Sequence, residues 1–280
     1  MTLDLALLDR VVAIAADAAT AIIAVYDAGD FAVVSKADSS PVTIADTKAH
    51  AVLHAGLERL LPGVPVLSEE GEIPDFAVRR QWPCYWLIDP LDGTKEFIQR
   101  NGEFTVNIAL VDDHMPVLGV VHVPVSGVTY AGIRGIGSFK FEAGERQQIR
   151  TRTMAGRANA GLPVAVVASR SHGAEAVTRL LSRLADKFGA VETCNMGSSL
   201  KFCLVAEGLA DLYPRLGPTS EWDTAAAQAV VEAAGGLVLD RRLGPLRYNT
   251  KAELLNPHFY VIGDGAFQWP ELLEPLAPIR

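Results

Sequence analysis

The chain has 280 residues and a mass of 30.0 kDa, with 49% hydrophobic and 21% charged residues. This length suits one large domain or two lobes that share an interface, and the composition excludes a disordered chain. A formal net charge of −8 excludes a general attraction to DNA or RNA, so an anionic ligand would need local cations or a bound metal ion.

The start of the chain and its cysteines indicate a cellular compartment. The first residues carry Asp4, Asp9 and Asp17 and lack the basic start of a signal peptide. The sequence contains no run of about 18 uncharged apolar residues, so it predicts no transmembrane segment. The three cysteines have no C-x-x-C spacing, which is typical of reduced thiols. We therefore expect a cytoplasmic protein, as a monomer or homodimer, with peripheral association at the inner face of the cell membrane left open.

The hydrophobic pattern predicts two opening helices, over residues 3–28 and 43–61, followed by the strands VPVL and CYWLI. From Glu103 onward, short β-rich runs separated by Asp, Pro and Gly predict an antiparallel meander. Residues 144–162 are polar and are expected to be irregular, as a crossing into a second lobe. Beyond them, strands are predicted at PVAVVAS, GLVLD and HFYVIG, and helices at 173–186, 197–208 and 222–234.

Alternation of this kind predicts an α/β (α+β) protein whose helices cover its sheets. We expect an N-terminal α+β lobe over residues 1–150 and a C-terminal α/β lobe over residues 151–280, with the functional site between them.

The stretch WLIDPLDGTKEF contains two acids at the end of a predicted buried strand. Pro90 is expected to end the strand and sharpen a turn, so that Asp89 and Asp92 point into the same space. Leu91 lies between them and offers its carbonyl oxygen. Converging carboxylates repel each other unless a cation is present, and hard oxygen ligands suit Mg²⁺.

The residues after Asp92 favour phosphate binding. Gly93 permits close approach to the backbone, and Thr94 is expected to cap a short helix, TKEFIQ, whose free N–H groups would receive a phosphate. The alternative is that D-P and D-G are ordinary turn signals that close a loop.

Further acids are candidates for the same site, and each also has a purely structural interpretation. Glu69 and Glu70 follow the strand VPVL, or else belong to a solvated turn. Asp223 begins a long helix, where Ser220 and Asp223 also fit a capping box. Asp46 is ordinarily a first-turn helix acid that the helix dipole favours.

Several motifs together resemble the inositol monophosphatase superfamily of Mg²⁺-dependent, lithium-sensitive phosphatases over almost the whole chain. These are Glu69-Glu70, the D-P-L-D-G-T of residues 89–94, and W-D-T-A-A at 222–226 with A-G-G at 234–236. Within that superfamily, four segments resemble the 3′(2′),5′-bisphosphate nucleotidases of the bacterial CysQ type: 95–97, 100–110, 35–43 and 197–215.

The resemblance implies a layered αβαβα sandwich with two or three Mg²⁺ ions and no covalent phosphoenzyme. It implies metal ligands at five positions: Glu69, Asp89, the Leu91 carbonyl, Asp92 and Asp223. Asp46 and Thr94 match the pair that orients and deprotonates the attacking water, with Glu69 on the water side. Gly93 and Thr94 match the groups that receive the scissile phosphate.

The same resemblance implies positions that face the nucleotide and its second phosphate: Ser198, Lys201 and Arg215. Lys36 lies in a segment near the metals, and His172 is either a nucleotide contact or a loop histidine. From the residues alone, Lys201 could instead extend along a helix surface and Arg215 could close a loop.

The function that these observations favour is removal of the 3′-phosphate from adenosine 3′,5′-bisphosphate, and of the same group from 3′-phosphoadenylyl sulfate. The alternatives are an inositol or sugar-phosphate phosphatase with the same metal core, and a protein that binds divalent metal without turnover. No polymeric nucleic acid is expected as a partner.

Overall fold

The computed structural model describes residues 2–29, 34–35, 41–155, 162–168 and 174–273. In this part of the chain the α-helices are α1 Leu5–Ala28, α2 Ile44–Leu60, α3 Phe76–Arg79, α4 Thr94–Ile98, α5 Ala174–Phe188, α6 Leu200–Ala206 and α7 Ala225–Ala233. Two 3-10 turns span Glu221–Asp223 and Trp269–Glu271.

The strands of the described residues form three sheets. A two-stranded sheet pairs β1 Val34–Ser35 with β2 Pro41–Val42. A seven-stranded sheet has the order β3-β4-β5-β6-β7-β8-β9, and a five-stranded sheet has the order β11-β10-β12-β14-β13. The larger sheet contains β3 Val66–Ser68, β4 Cys84–Asp92, β5 Thr105–Asp112, β6 Met115–His122, β7 Thr129–Ile133, β8 Gly137–Glu142 and β9 Glu145–Ile149. The smaller contains β10 Val164–Ala168, β11 Val191–Asn195, β12 Leu212–Arg215, β13 Leu237–Asp240 and β14 Phe259–Ile262.

The predicted mixed architecture is confirmed, including the antiparallel meander from β5 to β8. Helices α1 and α2 cover one face of the seven-stranded sheet with a core that includes Leu8, Leu53 and Trp86. Helix α7 covers the other face, in a core that continues into the five-stranded sheet. This arrangement places α7 between the two large sheets.

Helix α1 follows the prediction closely. It begins after Asp4, whose side chain accepts the Leu7 N–H, and it ends at Gly29 in a left-handed conformation. By length and composition alone α1 could cross a membrane. Its residues Leu8, Val11 and Ile22 are instead fully buried in the core, which is the packing of a core helix.

Helix α7 lies unusually close to the seven-stranded sheet because two strand residues are glycines. A Cβ atom on Gly119 would lie 2.0 Å from the Ala226 oxygen, and one on Gly132 would lie 2.6 Å from the Ala229 oxygen. Since no side chain fits at either position, the glycines set the height of α7 above the sheet. The 3-10 turn Glu221–Asp223 leads directly into α7, so this contact also positions Asp223.

Five strands were not predicted, and two of them are the two-residue strands β1 and β2. Strand β9 occupies part of the segment that was expected to be irregular, and β11 is an edge strand that is mostly exposed. Edge strands can be polar, and this removes the apolar alternation on which a sequence prediction depends. Strand β12 is only four residues long and contains Pro214. The boundary between lobes near residue 150 stays a prediction.

Candidate metal and phosphate site

A β-bulge brings the two acids of the D-P-L-D motif to one face of the sheet. In the β4–β5 ladder, Asp89 lies opposite Asn107 and Asp92 lies opposite Thr105, so two residues of β4 oppose Val106 alone. Residues three apart on a regular strand point to opposite faces. The extra residue of the bulge corrects this, and both carboxylates face the same space.

Pro90 does not end the strand as expected, because β4 continues through it to Asp92. A bulge is one of the few strand positions that tolerate the missing N–H of proline. The next N–H, that of Leu91, donates to Asp89 Oδ1 at 3.0 Å. The Leu91 side chain is buried in the core, which anchors the bulge between the two acids.

Three carboxylates from separate elements converge at this edge. Glu69 follows β3, which runs parallel to β4 with Ser68 opposite Ile88. Oxygen atoms of Glu69, Asp89 and Asp223 lie within 4.8 Å of one another. Burial, followed by the charges of neighbouring acids, raises the pKa of Asp89 and of Asp223 well above the usual range. A partly buried group of acids of this kind has the oxygen ligands and the unbalanced negative charge that fit Mg²⁺.

Asp92 is held by a cluster of donors around one oxygen. Its Oδ2 accepts the Ser198 hydroxyl at 2.7 Å, the Ser199 N–H at 2.7 Å and the Ser199 hydroxyl at 2.9 Å. Thr105 and Asn107 of β5 lie beside the same oxygen, at 3.5 and 3.4 Å. These contacts fix the orientation of the Asp92 carboxylate.

The sequence reasoning did not single out Ser199, Thr105 or Asn107 as site residues. The available signal was the pair of polar residues two apart in the otherwise apolar strand TVNIALVD. Such spacing places both side chains on one face.

Asp46 is a first-turn acid of α2 and Asp223 forms a capping box with Ser220, as predicted, and each acid still faces the site. Asp46 Oδ2 accepts the Thr43 N–H at 2.7 Å, while its Oδ1 accepts the Thr94 hydroxyl at 3.5 Å. Asp223 Oδ2 accepts the Ser220 N–H at 2.8 Å. Burial is the main reason that the pKa of Asp46 is raised. A raised pKa makes this carboxylate a better proton acceptor than an ordinary aspartate.

Gly93, rather than Thr94, caps helix α4. Gly93 has φ of 95°, and a Cβ there would lie 3.3 Å from the Glu103 oxygen and from Glu96 Oε2. Thr94 is the first helical residue, with its hydroxyl turned toward Asp46. The glycine is required because an L-residue at this φ would be strained and crowded.

A cavity of about 120 Å³ adjoins the acids and is lined by residues of both charges. Its cationic wall contains Lys201 and Arg215. Lys201 is 8% exposed, its Nζ donates to the Ser198 oxygen at 2.9 Å, and burial lowers its pKa. Arg215 Nη2 donates to the Pro218 oxygen at 2.8 Å, while its Nε is buried with no partner among the described residues.

The remaining predicted contacts are placed differently. Ser198 also lines the cavity, but its hydroxyl bonds to Asp92, so it helps to orient the Asp92 carboxylate. Lys36 and His172 lie outside the described residues. The predicted site residues that the structure does describe converge on one edge of β4 and the cavity beside it.

Comparisons with known proteins identify relatives over nearly the whole length. The model of the inositol monophosphatase family matches residues 5–268. The 3′(2′),5′-bisphosphate nucleotidase CysQ of Escherichia coli K12 is 52% identical over 256 residues, which cover 91% of this chain and 99% of the relative. The protein of the same name from Buchnera aphidicola is 40% identical, with 91% of this chain and 92% of that protein covered.

A solved structure agrees with these sequence matches. The crystal structure of CysQ from Bacteroides thetaiotaomicron, described as a bacterial member of the inositol monophosphatase family, superposes with a TM-score of 0.78 and 42% identity. The match covers 91% of this chain and 96% of that one. The chain therefore belongs to the inositol monophosphatase family, as its motifs predicted.

Proposed function

We propose that the protein is a Mg²⁺-dependent phosphatase that hydrolyses the 3′-phosphate of adenosine 3′,5′-bisphosphate to give AMP. 3′-Phosphoadenylyl sulfate is proposed as a second substrate. The observation that carries the proposal is the juxtaposition of a partly buried three-acid cluster with a cavity lined by Lys201 and Arg215. The names of relatives that are 52% and 40% identical point to the same reaction.

The acids would hold two or three Mg²⁺ ions. The ligands are Glu69, Asp89, the Leu91 carbonyl, Asp92 and Asp223. When bound, Mg²⁺ lowers the pKa of water and neutralises charge on the phosphate and leaving group. The bulge in β4 keeps Asp89 and Asp92 on one face, and the donors on Asp92 Oδ2 hold that carboxylate in a single orientation.

Asp46 and Thr94 would orient and deprotonate the attacking water. Thr94 donates its hydroxyl to Asp46 Oδ1, which leaves the threonine oxygen able to accept a hydrogen bond from that water. The raised pKa of Asp46 makes the carboxylate able to take up a proton. Glu69 is proposed to lie on the side of the attacking water.

The scissile phosphate would be received at the backbone of Gly93, which lines the cavity, and of Thr94, the first residue of α4. Lys201 and Arg215 would hold the second, unreacted phosphate. Arginine presents a planar set of donors that matches phosphate oxygens. Lys36, Ser198 and His172 are proposed to complete the substrate side.

Two alternative functions differ from the proposed one in the residues that they require. An inositol or sugar-phosphate phosphatase needs the same acids but only one phosphate site, so the cationic wall favours a bisphosphate. A protein that only binds metal does not need Asp46 bonded to Thr94 beside the acid cluster. The first measurement is Mg²⁺-dependent phosphate release from adenosine 3′,5′-bisphosphate and from inositol 1-phosphate, with Asp92→Asn as background.

Strong preference for the nucleotide would support the proposal. Preference for inositol phosphate would keep the mechanism and replace the substrate. No phosphate release from either substrate, together with binding of Mg²⁺, would favour the metal-binding alternative.

A sharper test of the second-phosphate site compares Lys201→Met on adenosine 3′,5′-bisphosphate and on adenosine 3′-monophosphate. A hydrogen bond to a charged group contributes about 1.5 to 3 kcal/mol. We therefore expect kcat/KM for the bisphosphate to fall by about 10- to 100-fold, and kcat/KM for the monophosphate to change little. Lys187→Met, on the exposed side of α5, is the matched control. Equal losses on both nucleotides would contradict the assignment of Lys201.

The cellular setting is also a proposal. We infer a cytoplasmic enzyme, monomeric or homodimeric, that recycles nucleotide during sulfur assimilation and is inhibited by lithium. The lobes would comprise residues 1–150, with most metal ligands, and 151–280, with Asp223 and the specificity residues. Unchanged phosphate release in millimolar LiCl would contradict the lithium prediction.

A further inference from the structure

A tight turn carries the two adjacent glutamates of the site. The Gly71 N–H donates to the Ser68 oxygen at 3.2 Å, which closes the turn over Glu69 and Glu70. The Glu70 N–H donates to the Ser68 hydroxyl at 3.3 Å, and the Glu69 N–H donates to the Ile88 oxygen at 3.2 Å. The orientation of both carboxylates therefore depends on where Ser68 and its hydroxyl are held.

A histidine on helix α2 holds that hydroxyl. His50 Nδ1 lies 2.8 Å from Ser68 Oγ, and Ser68 is 1% exposed. His50 follows Asp46 by four residues, so the two side chains lie on the same face of α2. The contact joins the helix that carries the proposed base to the turn that carries a proposed metal ligand.

The donor and acceptor roles of Ser68 and His50 are consistent with each other. Because Ser68 Oγ accepts the Glu70 N–H, its own hydrogen is available to donate to His50 Nδ1. That arrangement requires the neutral tautomer of His50 with its proton on Nε2. Burial lowers the pKa of His50, with a further lowering from His54 and an opposing effect from Glu70. The neutral imidazole is therefore the form present near neutral pH.

We propose that His50 is a positioning residue, which fixes the Ser68 hydroxyl and so holds the Glu69–Glu70 turn in the geometry that binds Mg²⁺. The inference rests on the proposed function, because it assigns Glu69 to the metal. Residues that orient metal ligands through one hydrogen bond commonly change metal affinity or activity by about 10- to 100-fold when they are replaced. The nucleotide is proposed to bind in the cavity beside Lys201 and Arg215, whose lining does not include His50 or Ser68, so its binding should not depend on His50.

The chain offers a matched set of variants. His50→Gln removes the acceptor at the δ1 position, while His50→Asn places an amide oxygen close to where Nδ1 stands. Ser68→Ala removes the same hydrogen bond from its other end. His54→Gln is the control, since His54 lies one turn further along α2, is half exposed, and contacts Glu58 and the His50 ring.

The first readout is Mg²⁺ binding by isothermal titration calorimetry without substrate. We expect His50→Gln and Ser68→Ala to raise the Mg²⁺ Kd by about 10-fold or more, and His50→Asn and His54→Gln to stay within about twofold of the wild type. In activity assays, the Mg²⁺ concentration for half-maximal rate should rise by the same factor. The KM for adenosine 3′,5′-bisphosphate at saturating Mg²⁺ should stay unchanged.

Combining the two substitutions tests whether both act through one bond. The double variant His50→Gln/Ser68→Ala should bind Mg²⁺ no more weakly than the weaker single variant, because interacting residues are not additive. An unchanged Mg²⁺ Kd in Ser68→Ala, or equal losses in His50→Asn and His50→Gln, would overturn the inference. If His50→Gln does not fold, Ser68→Ala decides alone.

The calorimetry also separates this inference from the proposed function. A wild type that binds Mg²⁺ but hydrolyses no phosphate ester would refute the proposed function and leave the His50 inference to be judged on metal affinity. A wild type that binds no Mg²⁺ would refute both.

Discussion

Replacing Asp89 by Asn should stabilise the metal-free protein and abolish its stabilisation by Mg²⁺. Asp89 is 2% exposed and shares a 4.8 Å cluster with Glu69 and Asp223. Asn is nearly isosteric, and its Oδ1 can still accept the Leu91 N–H that Asp89 accepts. The substitution therefore removes one charge and very little packing.

The expected change in the free energy of unfolding follows from the distances between the carboxylates. Two unit charges 4.8 Å apart repel by about 3.5 kcal/mol at an effective dielectric constant of 20, and by about 1 kcal/mol in water. Asp89 faces two such neighbours, but its pKa is raised well above the usual range, so partial protonation already relieves part of this repulsion. We expect a gain of about 1 to 3 kcal/mol in the metal-free free energy of unfolding.

The assay is denaturant unfolding at pH 7.5, in EDTA and in Mg²⁺. Wild type should gain about 2.7 kcal/mol when Mg²⁺ is at 100 times its Kd, and Asp89→Asn should gain far less and lose phosphatase activity. Asp112→Asn, at the exposed end of the neighbouring strand β5, controls for a general charge effect. A variant that is less stable than wild type in EDTA, or that keeps the full Mg²⁺ gain, would refute the cluster as the metal site.

Two further predictions concern the scaffold. Gly119→Ala should destabilise the fold by about 3 kcal/mol or more in denaturant unfolding, because its Cβ would lie 2.0 Å from the Ala226 oxygen; Gly244→Ala, with its nearest atom at 3.7 Å, should have little effect, and equal losses would contradict this. His122 is buried beside Thr129, and burial lowers its pKa from 6.5 to about 4. The folded state favours the neutral form of His122. Its contribution to the free energy of unfolding is therefore full above pH 6.5. About 3 kcal/mol of that free energy is lost as the pH falls from 6.5 through 4. His122→Asn should flatten the stability curve over that range, and an unchanged slope would refute the assignment.

The site motif was accessible to sequence reasoning because its residues are close together in the chain. An apolar run, two acids and a glycine within WLIDPLDGTKEF indicate a strand end that binds a cation and a phosphate. The capping box of Ser220 and Asp223 and the first-turn position of Asp46 were also predictable, because both patterns span only a few residues. Helix α1, the meander and the mixed architecture follow from local periodicity.

The bulge was not accessible. From the sequence, Pro90 is expected to end the strand. In the structure, the ladder with β5 continues past the proline through a bulge that contains one additional residue. Strand pairing is a property of two segments, so the register that turns Asp92 toward Asp89 depends on Thr105 and Asn107 as much as on the motif.

The amino-acid sequence by itself determined which residues are acids at strand ends, which of the longer segments are helices, and the family to which the chain belongs. Only the tertiary structure decided that Asp92 is held by Ser198 and Ser199, residues more than 100 positions away, and that His50 holds the turn carrying Glu69. Local propensities act over a few residues, while the orientation of a buried charge depends on donors that only the packing of distant segments brings within hydrogen-bond distance.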